Sequence, residues 1–370
     1  MRKIAQEFND KYFNETPSFI YNLDILESHL KLLRKIYKDY KICYAMKANP
    51  ILVPFIEKFV DKIEVCSGGE FKICQKYKIN PEKIFYTGVH KDEKDIFDAY
   101  KYGVRNFNAE SLQQLRILSN IGNDIRVFIR IANGQFGIDE HFFTEILHQY
   151  KNIIIGLHYF AGTSRDNKIE LDILKIKDIL KKYNFNELEY GVGLGVNYFQ
   201  NEKSQSDEIK ANNLLKIISD IKIPITLELG RFIVAKCGLY AVRVCDIKKN
   251  NNTNYAILDG GINHLNYYGQ NMGMKIPFLY HFNNNNNNNQ KTWCLCGPIC
   301  SISDVLVRQI ELNELSINDL IFFKNVGAYS ASESHVLLLS RSMPKIYIYS
   351  NKTFVLLRDS IDTYQINMKG

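Results

Sequence analysis

Three short stretches carry side chains whose types and spacing could do chemistry. The first, KICYAMKANP (residues 41–50), sets Lys47 at the end of an apolar run. An amine held in a fixed place is a nucleophile toward carbonyl carbon, whereas a lysine on an open surface is only a solvated charge. The second, GVGLG (191–195), follows a strand-like run. Glycine-rich turns let backbone N–H groups approach an anion closely, and they also occur for steric reasons alone. The third, ELGR (228–231), joins the carboxylate of Glu228 to Arg231, whose guanidinium is a fixed fork of donors suited to phosphate.

These stretches sit in a regular alternation of β-branched runs and helix-period segments. The strand candidates are 41–47, 62–67, 83–89, 104–110, 125–132, 153–160, 188–195 and 225–232, with helix-like stretches such as NPILVPFIEKF, EKDIFDAYKYG and LDILKIKDILKKYN between them. Eight strands with seven intervening helices predict a (β/α)8 TIM barrel, whose usual span is about 200–250 residues; an open doubly wound sheet is the alternative. In a barrel, the C-terminal ends of the strands share one mouth. Lys47 then closes the first strand, Cys66–Gly69 follow the second, His158–Thr163 the sixth, GVGLG the seventh and Glu228–Arg231 the eighth. A lysine, a carboxylate and an anion-binding turn at one mouth suggest a phosphorylated cofactor.

After residue 236 the pattern changes to short strands separated by turns, including GLYAVRVCDI, NYAILDGG, DLIFFKN, KIYIYS and TFVLLRD. This predicts a C-terminal antiparallel β domain. PSFIYNLD (17–24) is strand-like too, so the expected organisation is an N-terminal segment (1–20) pairing with the β domain, a barrel (21–235) and the β domain itself (236–370).

Composition excludes several classes. The net charge of +7 over 370 residues is spread along the chain with no basic tail, so no nucleic-acid partner is expected. No apolar segment reaches the ~20 residues of a membrane span, and MRKIAQEFND lacks a signal-peptide core. Eight cysteines without a CxxC or zinc-type spacing point to free thiols, no metal and a cytoplasmic protein. The asparagine runs at 250–252 and 283–289 read as surface loops.

Taken together, the segments resemble the fold-type III pyridoxal-phosphate decarboxylases, the family of diaminopimelate, ornithine and carboxynorspermidine decarboxylases. YAMKAN is similar to the family's cofactor-lysine motif, EVCSGGE to its second-strand segment and ELGR to its Glu-Pro-Gly-Arg motif. CGPICSISD (296–304) and GAYS (327–330) are similar to the two motifs of its C-terminal domain. The resemblance implies pyridoxal 5'-phosphate as cofactor, bound covalently by Lys47, with Glu228 keeping the pyridine nitrogen protonated. It implies phosphate contacts from Thr163, Gly193, Gly230, Arg231 and Tyr329, and a catalytic thiol at Cys300 that protonates Cα. It also implies a head-to-tail homodimer in which CGPICSISD of one subunit completes the other's active site.

Departures from the family bear on substrate. Phe160 stands where many relatives stack a histidine on the cofactor, Leu229 replaces the motif's proline and Val192 interrupts a triple glycine. Ser301 follows Cys300 where diaminopimelate decarboxylases carry a glutamate for the distal amine, and Tyr267 lies near the place of their carboxylate-binding arginine. The loop IANGQFGI (131–138) is shorter than the family's. Asp304 reads equally as a substrate contact or as a cap for a following helix, and His158 as a site residue or a satisfied core histidine. The pattern is more similar to the branch acting on carrier-bound or citryl-linked amino acids, and GRFIVAKCGLYAVRVCDIKK to siderophore decarboxylases. The expected substrate is a conjugate such as N-citrylornithine; free diaminopimelate, ornithine or lysine is the alternative, and a noncatalytic cofactor-binding protein the third reading.

Overall fold

A computed structural model describes residues 1–267, 273–282 and 289–369. The asparagine run from 283 to 288 lies outside the described residues. The chain falls into two compact units, one comprising residues 27–196 and 205–233, the other residues 1–26, 197–204 and 234–370.

The first strand, β1 (Ser18–Asn22), belongs to the second of these units. The next eight form a closed parallel barrel: β2 (Lys41–Ala45), β3 (Lys62–Val65), β4 (Ile84–Tyr86), β5 (Asn106–Ala109), β6 (Arg126–Arg130), β7 (Ile154–Phe160), β8 (Glu187–Gly191) and β9 (Ile225–Leu229). Pairing of Cys43 with Glu228 and of Tyr44 with Leu229 closes the ring between β2 and β9. Each of the eight expected strands is present, so the architecture is the (β/α)8 barrel and not an open sheet. Two of the barrel helices start at serines whose side chains satisfy one of the first free N–H groups. Ser67 Oγ accepts from Glu70 N at 3.2 Å, and Ser111 Oγ from Gln114 N at 3.1 Å.

Two local expectations fail for backbone reasons. NPILVPFIEKF is not one helix: Pro50 and Pro54 break it into a 3-10 turn (Pro50–Leu52), a four-residue helix (Val53–Ile56) and another turn (Glu57–Phe59). Each proline removes a donor and restricts the residue before it. Lys47 does not close its strand either. β2 ends at Ala45, and Lys47 sits in the 3-10 turn Met46–Ala48.

The other unit is built on a nine-stranded sheet: β1, β10 (Gly238–Asn250), β11 (Thr253–Leu258), β12 (Leu279–Phe282), β13 (Gln290–Cys296), β14 (Val305–Asn313), β15 (Leu320–Lys324), β16 (Lys345–Ser350) and β17 (Thr353–Arg358). Its main order is β14-β13-β11-β10-β1-β16-β17. Most pairs are antiparallel, but β1 runs parallel to β16 and β11 parallel to β13. An N-terminal helix (Arg2–Tyr12) places Ile4, Ala5 and Phe8 against Ile20, Phe322, Tyr347 and Phe354 of the sheet. Burial of such apolar faces is the main favourable term holding the helix to the sheet.

Candidate active site

Polar residues alternate with apolar ones along several barrel strands: Lys62 and Glu64 in β3, Asn106 and Asn108 in β5, Glu187 and Glu189 in β8, Thr226 and Glu228 in β9. Strand geometry sends every second side chain to the same face. Contacts between strands that are not neighbours identify that face as the lumen. Lys62 of β3 reaches Glu189 of β8 at 2.6 Å, and His158 of β7 lies 3.3 Å from Glu228 of β9.

Toward the C-terminal ends of the strands, Lys47 Nζ donates to both oxygens of Glu64 at 2.9 Å and lies 3.7 Å from Cys66 Sγ. The lysine side chain is 42% exposed while that of Glu64 is 4% exposed, so the amine reaches the mouth and its counter-ion is below it. Burial raises the pKa of Glu64, but the Lys47 ammonium and its hydrogen bonds outweigh that and hold the carboxyl well below the usual range. Thr87 Oγ1 also donates to Glu64, at 2.9 Å. Burial beside Glu64 drives the Cys66 thiol up, which keeps it protonated.

A second chain of hydrogen bonds fixes His158. Lys91 Nζ donates to Asn108 Oδ1 at 2.9 Å. The amide nitrogen of Asn108 therefore faces His158 Nδ1, at 2.9 Å. With Nδ1 accepting, the ring proton resides on Nε2, which donates to Glu228 Oε2. His158 is 2% exposed, so it is a hydrogen-bonded core residue and a neighbour of the site at once. Glu228 Oε1 is buried with no hydrogen-bond partner among the described residues.

The loops after β7 and β8 come together around Gly193. Its φ of +65° is left-handed, and a Cβ there would lie 2.1 Å from Gly162 O. Only glycine permits this approach. Thr163 lies in the same loop as Gly162, and Arg165 N donates to Gly193 O at 2.8 Å. No helix follows GVGLG directly, since the next one begins at Asp207, so no helix dipole supports that turn. Gly230 instead precedes a four-residue helix starting at the buried Arg231, and a Cβ on Gly230 would press on Ala45 and Ala48. Phe160 ends β7 opposite Gly191, where a Cβ would lie 2.5 Å from the Phe160 ring. Arg130 spreads over the rings of Phe136 and Phe160, at 4.6 and 5.6 Å, and donates to Glu110 at 3.0 Å.

In the sheet unit, Cys300 is exposed and so is not a buried apolar thiol. Ser301 Oγ lies 2.7 Å from Ser303 Oγ. Asp304 caps no helix, because the strand β14 follows it. Its carboxylate is buried and accepts from Ile262 N at 2.9 Å and Ile299 N at 2.8 Å, tying the 297–304 loop to the turn at 260–262. Tyr267 is buried and donates its hydroxyl to Lys324 O at 2.7 Å. Tyr329 has a φ of +62°, a conformation that costs an aromatic residue energy and that concentrates at functional sites.

The fold thus gathers Lys47, Phe160, Thr163, Gly193, Glu228, Gly230 and Arg231 in the barrel unit, and holds Cys300, Ser301, Asp304 and Tyr329 in the sheet unit. Sequence reasoning missed Glu64, Thr87, Lys91, Asn108, Glu110 and Arg130. For Glu64 and Asn108 a signal was present as polar residues at every second position of their strands, whereas Thr87, Lys91 and Glu110 follow their strands and Arg130 ends β6, with no such signal. Among the described residues, no cluster of His, Cys, Asp and Glu could hold a metal ion, and no helix is long and apolar enough to cross a membrane.

A family model described as pyridoxal-dependent decarboxylase, C-terminal sheet domain, matches residues 19–327. The chain is 27% identical to the diaminopimelate decarboxylase of Aquifex aeolicus, covering 98% of this chain and 92% of the relative. It is 28% identical to the 2-[(L-alanin-3-ylcarbamoyl)methyl]-2-hydroxybutanedioate decarboxylase of Staphylococcus aureus, covering 90% and 94%. The crystal structure of Helicobacter pylori diaminopimelate decarboxylase complexed with L-lysine superposes with a TM-score of 0.85 at 23% identity, over 98% of this chain and 99% of that one.

Proposed function

From the premise that the chain belongs to the pyridoxal-dependent decarboxylase family, we propose that it is a decarboxylase of a conjugated amino acid, such as a citryl-diamino acid of the N-citrylornithine type. The cofactor is pyridoxal 5'-phosphate, which when bound supplies an electron sink for the α-carbon as carbon dioxide leaves.

The barrel residues fit that group. Glu228 Oε1 is a buried acceptor with its partner missing, as a carboxylate facing a protonated ring nitrogen would be. Burial makes such an unpaired oxygen costly, so a donor at this place stabilises the site. His158, with its proton fixed on Nε2, holds the other oxygen and keeps the carboxylate oriented. Lys47 is the residue that holds the cofactor covalently, and Glu64 positions its amine. Thr163, Gly193, Gly230 and Arg231 take the phosphate, and Phe160 offers a ring face for the cofactor ring. Cys300 Sγ delivers a proton to Cα. The exposed Cys300 loop serves the partner subunit of a homodimer, in which each active site is shared.

The conjugate reading rests on Ser301. A serine beside Cys300 leaves that position without the carboxylate that binds a free distal ammonium in diaminopimelate decarboxylases. Asp304 lies in the same loop, and each of its oxygens already accepts one backbone hydrogen bond, so its carboxylate is held in place to orient substrate through its remaining lone pairs. The Tyr267 hydroxyl is turned to Lys324 O. The Staphylococcus aureus relative is named for a substrate in which alanine is amide-linked to a hydroxy-dicarboxylate, which is the same chemical class. A second reading, decarboxylation of free diaminopimelate, is supported by the name of the Aquifex aeolicus relative.

Carbon dioxide release from N-citrylornithine, free ornithine, lysine and meso-diaminopimelate separates the two. The conjugate is expected to turn over with the highest kcat/KM. A preference for any free diamino acid would replace the first reading by the second, and no release from any of these or from related conjugates would remove the decarboxylase assignment.

A further inference from the structure

A pair of cysteines outside the barrel, the second of them the first residue of CGPICSISD, has been given no role in this chemistry. Cys294 and Cys296 stand two residues apart on β13, so their side chains share one face of the sheet. Their Sγ atoms are 3.6 Å apart. A disulfide needs Cβ atoms about 3.5–4.5 Å apart, closer than a regular strand holds residues i and i+2, so closing the bond bends β13 at Leu295, where its register against β14 already slips.

The surroundings favour oxidation at one of them. A cavity of about 800 Å³ opens beside Cys294 and is lined also by Trp293, Ile302, Val305 and Arg308. The hydrogen bond with Cys296 and, to a smaller extent, the Arg308 charge together lower the Cys294 thiol to about 7 against the opposing effect of burial. Cys296 is pushed up, first by that same hydrogen bond and then by burial. Of the two sulfurs Cys294 is the one whose ionisation is favoured and which lines the cavity, and Cys296 lies in contact with it, the arrangement in which one sulfur attacks and the other resolves.

We infer that Cys294 and Cys296 form a redox-active dithiol that a hydroperoxide entering the adjacent cavity converts to a disulfide. The Cys294 thiolate attacks the terminal peroxide oxygen, the O–O bond breaks, and the departing alkoxide or hydroxide takes a proton from solvent. Cys294 becomes a sulfenic acid. The Cys296 sulfur then attacks that sulfur, the S–O bond breaks, and the hydroxide leaves as water with the Cys296 proton. Two thiols lose two electrons and two protons, and the peroxide is reduced to an alcohol, or to water when it is hydrogen peroxide, plus one further water.

The test uses the full-length reduced protein exposed to hydrogen peroxide. Its intact mass is expected to fall by about 2 Da, the loss of two hydrogens. Alkylation before and after reduction reads the tryptic peptide Thr292–Arg308, which contains Cys294, Cys296 and Cys300. Cys294 and Cys296 should carry the second label and Cys300 the first. In Cys296→Ala the loss should disappear and a dimedone-reactive sulfenic acid should accumulate on Cys294. Oxygen gained on the wild-type peptide without loss of hydrogens, or a disulfide that includes Cys300, would overturn the inference. The wild-type peptide map decides between these results even if the variant folds poorly.

Discussion

Replacing Lys62 by methionine removes one half of an ion pair that lies across the barrel lumen. Lys62 Nζ and Glu189 Oε2 are 2.6 Å apart, with side chains 7% and 0% exposed. At an effective dielectric of about 20, a separation of 2.6 Å corresponds to an attraction of about 6 kcal/mol, set against a desolvation cost of several kcal/mol per ion. The pair as a whole therefore contributes little net stability, but Lys62→Met leaves the carboxylate buried and uncompensated, at an expected cost of about 3–5 kcal/mol. Burial already raises Glu189 to about 7 in the presence of Lys62, and losing the cation raises it further.

The pH dependence follows from that direction. A carboxyl whose folded pKa lies above its unfolded one binds more protons in the folded state, so its stabilisation is full below the unfolded pKa and is lost as pH rises through the folded pKa. In the wild type the Glu189 contribution is exhausted a little above pH 7. In Lys62→Met it continues to fall by about 1.4 kcal/mol per pH unit, so the difference between the two proteins widens from pH 7 to 8.5. Urea unfolding of both proteins across this range, with the Lys62→Met/Glu189→Leu double variant as the apolar reference, measures it. The double variant is expected to recover most of the loss. A constant difference across pH, or a double variant as unstable as the single one, would refute the assignment of a buried ionised pair.

Lys91 carries the opposite sign. Burial lowers it to about 7, so the folded state binds fewer protons than the unfolded chain above that pH, and stability rises from pH 7 toward 9; urea midpoints of Lys91→Met should lack that rise. Gly193→Ala combines a left-handed φ with a Cβ 2.1 Å from a carbonyl oxygen; pyridoxal 5'-phosphate affinity, followed by quenching of protein fluorescence, should weaken at least about tenfold, and phosphate-free pyridoxal much less. Asp304→Ala leaves two buried backbone N–H groups without their acceptor, a cost of about 2–4 kcal/mol that limited proteolysis should register as new cleavage within 297–304.

The barrel was legible because its eight strands are short β-branched runs punctuated by helix-period segments, a signal that local sequence carries. Lys47, Glu228 and the Gly193 turn were found for the same reason, each lying at the end of such a run. What surrounds them was not legible. Glu64 holds Lys47, and Asn108 sets the tautomer of His158, through contacts decided by barrel register between residues far apart in sequence. In the sheet unit, β12, β13 and β14 escaped notice. QKTWCLC follows an asparagine run that reads as loop, and VLVRQIELN lacks strict alternation because the β13–β14 register slips on either side of Leu295. Asp304 was ambiguous in sequence because the residue after it begins a strand rather than a helix.

The place of β1 in its sheet has a consequence for how the protein is made. β1 is buried along all five residues and is flanked by β10 on one side and β16 on the other. Ser18–Asn22 leaves the ribosome long before Lys345–Ser350 does. At typical elongation rates, on the order of 300 residues of further translation keep one edge of β1 open for roughly 15–60 s. During that interval Phe19, Ile20 and Tyr21 form an apolar strand without its final neighbour, the kind of segment that holding chaperones bind. A nascent chain that stops before β16 never covers that edge, so the sheet reports on whether translation has passed Ser350.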